Sequence, residues 1–166
     1  MKKIFVMAAM VLGVSAAYAG DSEPLKAITK SKTYAEAEAL LNSTLDQLAS
    51  PQEKAKAYNK LYELSMKDFE TVSAVIAENQ RAAVMKTEQQ AYDTAAYYNS
   101  AYNAVKAAVE CDKYDGQPDA KGKTKIAYRK DETRLQKLTQ ARLELVNGGQ
   151  WIDGKNDEAG LLKYWG

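Results

Sequence analysis

Residues 92–112 read YDTAAYYNSAYNAVKAAVECD, and this stretch decides the fold. Large and small side chains alternate in it at steps of three and four residues, the spacing that places residues on one face of an α-helix. The members of that face are Tyr98, Ala101, Val105 and Ala108. Such a stripe more often forms a core than a binding surface. The pattern therefore predicts packed helices, and only its recurrence elsewhere favours a surface that holds partners.

The first residues have the pattern of a secretory signal peptide. A basic start, Met1–Lys3, precedes the apolar run 4–14 and a small-residue cleavage motif that ends at Ala19. A transmembrane helix needs about 20 apolar residues, so we predict cleavage after Ala19 and no membrane-spanning segment in the product. The next residue is Gly20 and not the cysteine of a lipoprotein. We therefore expect a periplasmic or secreted protein.

We predict three parts in the chain. Residues 1–19 are the signal peptide, residues 20–32 are a polar tether with about one helical turn at Leu25–Ile28, and residues 33–166 form a helical domain. The chain ends on apolar side chains, namely Leu161, Leu162, Tyr164 and Trp165. An apolar end without a polar cap indicates a domain that is incomplete at its C-terminus.

Composition restricts the classes of partner. The chain has 166 residues, with 23 Lys and Arg, 22 Asp and Glu and a formal net charge of +1. Binding to nucleic acid or to an anionic membrane surface needs clustered positive charge, which the overall balance does not indicate. We therefore predict a protein or peptide partner and no nucleic acid.

The chain has no histidine and one cysteine. The missing histidine removes the commonest general base, the Ser-His and Cys-His pairs and nearly all zinc sites. Cys111 ends an apolar helical pattern, which predicts a buried, unreactive thiol without an intrachain disulfide. Acidic pairs such as Asp153 with Asp157 have no nucleophile or base around them. We predict no enzyme and no cofactor.

Capping signals mark the first helices. A capping box that begins at Thr33 predicts a helix over 33–49. Pro51, favoured at the first helical position, predicts a second helix over 51–78 that runs antiparallel to the first after a short turn. The sequence does not decide whether this second helix is interrupted near residues 65–68.

The second half of the chain alternates helix and loop. We expect a break near 95–97 within the tyrosine-rich helix, and a long loop at about 113–130 that is extended after residue 123. A last pair of helices is predicted over 131–146, with Gly148 and Gly149 continuing it, and over 156–166. The loop acids Asp112, Asp115 and Asp119 are spaced three and four apart, unlike the alternating ligands of a calcium loop, so no metal is predicted.

Motifs of the form aromatic-x-x-small-x-x-x-bulky recur along the chain. They are Tyr34-x-x-Ala37-x-x-x-Leu41, Phe69-x-x-Val72-x-x-x-Ile76, Tyr98-x-x-Ala101-x-x-x-Val105 and the degenerate Asp157-x-x-Gly160-x-x-x-Tyr164, with Gly148-x-x-Trp151 as a first-helix motif. In these motifs the chain resembles tetratricopeptide-repeat (TPR) proteins, which stack helix pairs of about 34 residues. The resemblance implies an all-α, right-handed TPR-like α-solenoid of antiparallel helix hairpins. Irregular motif spacing leaves a plain helical bundle open.

The resemblance implies a binding scaffold, because stacked helix pairs present a concave face. The candidate partner-binding residues are Lys56, Asn59, Lys60, Lys86, Gln90, Asp93, Arg142 and Asp153. Their mixed charges and amides suit a peptide or protein segment, although each is also an ordinary choice for a solvated surface. We expect an exported, non-enzymatic scaffold or adaptor of the cell envelope, similar to exported TPR proteins of Gram-negative bacteria.

Glycan or small-ligand binding is the alternative function. Tyr97, Tyr98 and Tyr102 are crowded together, and outward-facing rings would stack on sugars. The same tyrosines are also what helix packing needs.

Overall fold

The chain is helical. A computed structural model describes the backbone of residues 20–82 and 87–148, and the side chains of residues 20–78 and 95–145. The described residues form five α-helices and no strand: α1 Glu23–Lys30, α2 Tyr34–Thr44, α3 Pro51–Ala82, α4 Thr87–Tyr114 and α5 Glu132–Gly148. The predicted all-α class is confirmed for this part of the chain.

Two of the sequence predictions fall outside these residues. They are the signal peptide, 1–19, and the last helix, 156–166, with the apolar C-terminal end. Both stay predictions.

The segment predicted as a tether contains a packed helix instead. Helix α1 covers eight residues, and Leu25 and Ile28 on it are fully buried. Burying two such side chains contributes about 1.5–3 kcal/mol each, which holds the helix against the core. The Ser22 hydroxyl caps α1 and donates a hydrogen bond of 3.0 Å to Glu53 Oε2 on α3.

The cap of α2 is present where the capping box predicts it. The hydroxyl of Thr33 accepts the N–H of Glu36 at 3.2 Å, and Glu36 Oε2 accepts the N–H of Lys32 at 3.0 Å. The helix ends earlier than expected, because α2 stops at Thr44 and a 3-10 turn, Leu45–Gln47, follows it. The start of α3 at Pro51 is confirmed.

Helices α3 and α4 are continuous, so the predicted break near 95–97 is wrong and the one left open near 65–68 does not occur. The Ser65 hydroxyl donates a hydrogen bond of 2.7 Å to the Leu61 carbonyl, so its hydrogen-bonding partner lies within α3. The ring of Tyr97 packs on Phe69, with centroids 4.7 Å apart. Packing between α3 and α4 therefore stabilises the helical conformation near residues 65–68 and 95–97.

The ring contacts show that α3 and α4 run antiparallel. Tyr58 near the start of α3 stacks on Tyr114 at the end of α4, and Phe69 further along α3 meets Tyr97 earlier in α4. The stripe predicted for α4 lies in this interface, since Ala101, Val105 and Ala108 are buried. It forms core, as most such stripes do.

The remaining helices cover the α3–α4 pair. Helix α5 lies over it through Arg134, whose guanidinium stands 5.1 Å above the Tyr62 ring, and through an ion pair of 2.5 Å between Lys137 and Glu70. Helices α1 and α2 pack against α3, and one core joins all five helices. Between α4 and α5 the chain is irregular, and the segment expected to be extended forms no strand.

Candidate binding sites

The predicted partner-binding residues lie on three different helices. Lys56, Asn59 and Lys60 occupy successive turns of α3, and Arg142 lies on α5. Gln90 and Asp93 belong to α4, although their side chains are outside the described set. Lys86 and Asp153 lie outside the described residues.

Two of these residues have partners within the protein. Lys56 forms an ion pair with Asp21, just before α1. Asn59 is 7% exposed, and its Nδ2 donates a hydrogen bond of 2.9 Å to Glu63 Oε1. The side chain of Asn59 therefore faces the interior and not an open groove.

The structure does not bring Arg142 together with the lysines of α3. Helices α3 and α5 run in the same direction, because Arg134 lies over Tyr62 and Lys137 pairs with Glu70. Arg142 is two turns beyond Arg134, whereas Lys56 is more than a turn before Tyr62. At a rise of about 1.5 Å per residue, Arg142 and Lys56 are separated by about 20 Å along the pair.

A groove of about 440 Å³ lies where α2, α3 and α4 meet. We call it the amide groove, because Asn99 and Asn103 lie side by side on its α4 wall. The other lining residues are Thr33, Tyr34, Ala35, Ser65, Asp68, Thr71, Val72, Ala96 and Ser100. The groove therefore offers both apolar and hydrogen-bonding groups on one open surface.

The tyrosine cluster borders this groove and is packed. Tyr97 stacks on Phe69 and meets the Tyr98 ring edge-on, with centroids 5.2 Å apart. Tyr97, Tyr98 and Tyr102 are partly buried against the core. Burial raises the pKa of Tyr97 and of Tyr98, and the carboxylate of Glu144 acts in the same direction. The glycan alternative that uses these rings stays a prediction.

A second cavity, of about 230 Å³, lies where α3 begins and α4 ends. We call it the lysine–tyrosine cavity, because two lysines and two tyrosines form much of its wall. The residues that line it are Gln52, Ala55, Lys56, Tyr114, Asp115, Gly116, Lys125, Ala127 and Tyr128. Helix ends supply one side and the loop after α4 supplies the other.

Asp115 fixes the loop against this cavity. Its side chain is nearly buried, and its two carboxylate oxygens accept the backbone N–H groups of Ala127, Tyr128 and Arg129 at 2.8, 2.9 and 2.9 Å. Burial works to raise the pKa of Asp115, but these three N–H groups together hold it below its ordinary value. The carboxylate therefore acts as a latch for the returning loop.

The loop acids considered for calcium have other partners. Asp112 pairs with Arg134 at 3.0 Å, Asp115 holds the loop, and Asp119 Oδ1 accepts the N–H groups of Lys121 and Lys123. Their oxygens point to three separate partners. Among the described residues, no group of three or more His, Cys, Asp and Glu could hold a metal ion.

Cys111 is buried on α4 and has no disulfide. Burial raises the pKa of the Cys111 thiol to about 12, against the opposing effect of Arg134. Nucleophilic attack by cysteine needs the thiolate, so this environment keeps the group unreactive.

Comparisons with known proteins found no match: no protein-family model, curated protein or solved structure is significantly similar to the chain. The TPR resemblance therefore remains a prediction from the motifs. Over the residues that the structure describes, no helix has the length and apolar character needed to cross a membrane.

Proposed function

We propose that this protein is an exported, non-enzymatic helical scaffold that binds an extended segment of a partner protein in the amide groove. The observation that carries the proposal is the pair of asparagines, Asn99 and Asn103, beside an apolar surface in that groove. Export rests on the predicted signal peptide.

The two asparagines are spaced to follow an extended backbone. Residues at i and i+4 of a helix lie on one face, about 6 Å apart along the axis. An extended chain repeats every two residues, at about 6.6–6.8 Å. A carboxamide offers both donors and an acceptor, so each asparagine is able to pair with one peptide unit of the partner. Asn99 also has a contact within the protein, and its carboxamide has several hydrogen-bonding positions.

The rest of the groove suits the side chains of such a segment. Tyr34, Val72 and Ala96 provide apolar surface, and Asp68 and Thr71 provide polar positions. Alternate side chains of an extended segment point to opposite sides, so one set contacts this surface and the other faces solvent. Backbone pairing supplies affinity and the apolar surface supplies selectivity.

This proposal does not depend on a repeat count. Helices α3 and α4 contain 32 and 28 residues, each close to the about 34 residues of a whole TPR unit. The TPR-like solenoid implied by the motifs stays a proposal, and the antiparallel α3–α4 pair supports it. The contact of α1 with α3 as well as with α2, and the continuity of α3 and α4, fit a plain helical bundle equally.

A blocking substitution tests the groove. Thr71 is exposed on the groove wall, and its hydroxyl donates to the carbonyl four residues earlier at 2.8 Å. Thr139 on α5 is exposed and makes the same hydrogen bond at 2.8 Å, away from the groove. Peptides selected from a random phage-displayed library would be titrated by fluorescence anisotropy against wild type, Thr71→Trp and Thr139→Trp.

We expect Thr71→Trp to weaken peptide binding at least tenfold and Thr139→Trp to leave it unchanged. Asn103→Leu should weaken binding by roughly ten- to a hundredfold, because it removes about one or two hydrogen bonds to the bound backbone. If the selected peptides bind Thr71→Trp and Asn103→Leu as tightly as wild type, the amide groove is not the binding site.

A further inference from the structure

The loop between α4 and α5 carries a concentrated positive charge. Residues 121–130, KGKTKIAYRK, contain five basic residues and no acidic one. All of them except Tyr128 are exposed. This loop is the outer wall of the lysine–tyrosine cavity, to which it contributes Lys125, Ala127 and Tyr128. Of the five basic residues, Lys125 lines this cavity.

More cations surround the cavity than anions. Lys56 and Lys125 line it, and so does Gly116. Arg129 Nη2 lies 2.8 Å from the position that a β-carbon on Gly116 would occupy, so the Arg129 guanidinium is at the edge of the cavity. Lys54 Nζ lies 5.6 Å from the centre of the Tyr114 ring, which forms part of the wall. These four cations meet three nearby carboxylates, because Glu63, Asp115 and Asp21 all act on the Tyr128 hydroxyl of the cavity wall.

The three carboxylates have internal partners, and Glu63 Oε1 accepts a hydrogen bond of 2.9 Å from Asn59 Nδ2. Asp21 pairs with Lys56, whose ammonium group has three donors, and Asp115 accepts three backbone N–H groups. Asp115 keeps its negative charge and offsets part of that of Arg129, as Asp21 offsets Lys56. Lys125 and the other basic residues of the exposed loop carry the remaining positive charge. The cavity presents a net positive surface to a ligand.

The walls and the volume define the body of that ligand. Tyr114 and Tyr128 supply ring surface, and Gln52 supplies an amide. Sites for drug-sized ligands have volumes of roughly 300–1,000 Å³, and this cavity has about 230 Å³. The space accommodates about one six-membered ring with a short substituent.

We propose that the lysine–tyrosine cavity binds an anionic sugar, with the sugar ring against Tyr114 and Tyr128 and its carboxylate or phosphate at Lys125, Lys56 and Arg129. Aromatic rings stack on the apolar face of a sugar, and the amide of Gln52 suits its hydroxyls. The site does not involve the amide groove or the peptide proposed to bind there.

Titration with matched sugars tests the charge requirement. The probes are D-glucuronate, D-glucose 6-phosphate and neutral D-glucose, each followed by the chemical shifts of the loop amides. The variant is Lys125→Gln combined with Arg129→Gln, and the control is Lys67→Gln. Lys67 is an exposed lysine of α3, eleven residues and about 16 Å beyond Lys56.

We expect both anionic sugars to shift the amides of residues 125–129 and to bind at least tenfold more tightly than glucose. The double variant should lose roughly tenfold or more of that affinity, and Lys67→Gln none. Preference for glucuronate would assign the natural group as a carboxylate, and preference for the phosphate would assign it as a phosphate.

Equal binding of glucose and glucuronate would overturn the proposal, as would unchanged affinity in the double variant with an unchanged circular-dichroism spectrum. Binding to phosphatidylglycerol vesicles without any response to either anionic sugar would also overturn it, and would assign the basic loop to a lipid surface. The double variant should still bind the selected peptides, and this measurement distinguishes a failure at the lysine–tyrosine cavity from a failure at the amide groove.

Discussion

Replacing Asp115 with asparagine should loosen the loop that covers the lysine–tyrosine cavity. The carboxylate uses both of its oxygens, because Oδ1 accepts the N–H of Ala127 and Oδ2 accepts those of Tyr128 and Arg129. An asparagine side chain has one carbonyl oxygen, so its Nδ2 must face an N–H where Oδ1 or Oδ2 now lies. At least one hydrogen bond becomes a donor–donor contact.

The size of the effect follows from the exposure of the groups. An unsatisfied buried donor costs about 1–3 kcal/mol. Asp115 is 4% exposed, but Ala127 is exposed, so water is able to reach the N–H that loses its partner. We therefore expect a local loss of about 1–2 kcal/mol, which corresponds to roughly 5- to 30-fold faster amide exchange.

The assay is amide hydrogen exchange by NMR at residues 127–129, with Asp119→Asn as control. Asp119 accepts the N–H groups of Lys121 and Lys123, both at 2.8 Å, with the single oxygen Oδ1. The carbonyl of an asparagine reproduces that arrangement, so Asp119→Asn should leave exchange in its own turn unchanged. Unaltered exchange in Asp115→Asn, or equal acceleration in both variants, would refute the latch.

Three further results are expected. The native pKa of Asp115 lies below its ordinary value of 3.8. Its contribution to stability is therefore complete above about pH 4–5 and is lost as the pH falls below 3.8. Amide exchange at residues 127–129, followed during an acid titration, should show this loss. Cys111 should stay unmodified by a thiol reagent up to about pH 10 in the native state and react only with unfolding. Gly116→Ala should lower the free energy of unfolding by about 1–2 kcal/mol in denaturant titration, because Gly116 has φ +88°; a loss of zero would contradict that strain.

Local signals in the sequence predict helix starts correctly. Thr33 has the capping-box partner three residues later, and Pro51 opens α3, so both starts are fixed by groups within one turn. Helix continuity is different. The stretches near 65–68 and 95–97 carry no strong helix signal, yet Phe69 and Tyr97 pack on each other across the helix pair. Tertiary packing decides such positions, and a single sequence does not contain it.

The sequence contains the signals of α1, although its polar composition favours a tether there. Ser22 precedes Pro24 at the start of α1, and Leu25 and Ile28 lie three residues apart on one face. These are the signals that identified α2 and α3. The polar composition of residues 20–32 describes the solvent face of the helix and gives no information about its buried face.

The two candidate sites differ in how far the sequence indicates them. The basic run 121–130 is visible in the sequence, but a net charge of +1 over the whole chain conceals it. A local charge count over ten residues finds it. The amide groove depends on where Thr33 and Tyr34 at the start of α2 meet α3 and α4. That contact is long-range, so no pattern within the tyrosine-rich stretch predicts it.

The N-terminal part of the described chain contacts both sites. Asp21 pairs with Lys56 in the lysine–tyrosine cavity, and Tyr34 of α2 forms part of the amide groove. Along α3, Lys56 and Ser65 of the groove are nine residues apart, which is about 14 Å. This separation allows a peptide and an anionic sugar to occupy their sites together without contact. Because the two sites are more than about 10 Å apart and have no lining residue in common, substitutions at Thr71 and Lys125 should act independently, and each should affect only the ligand of its own site.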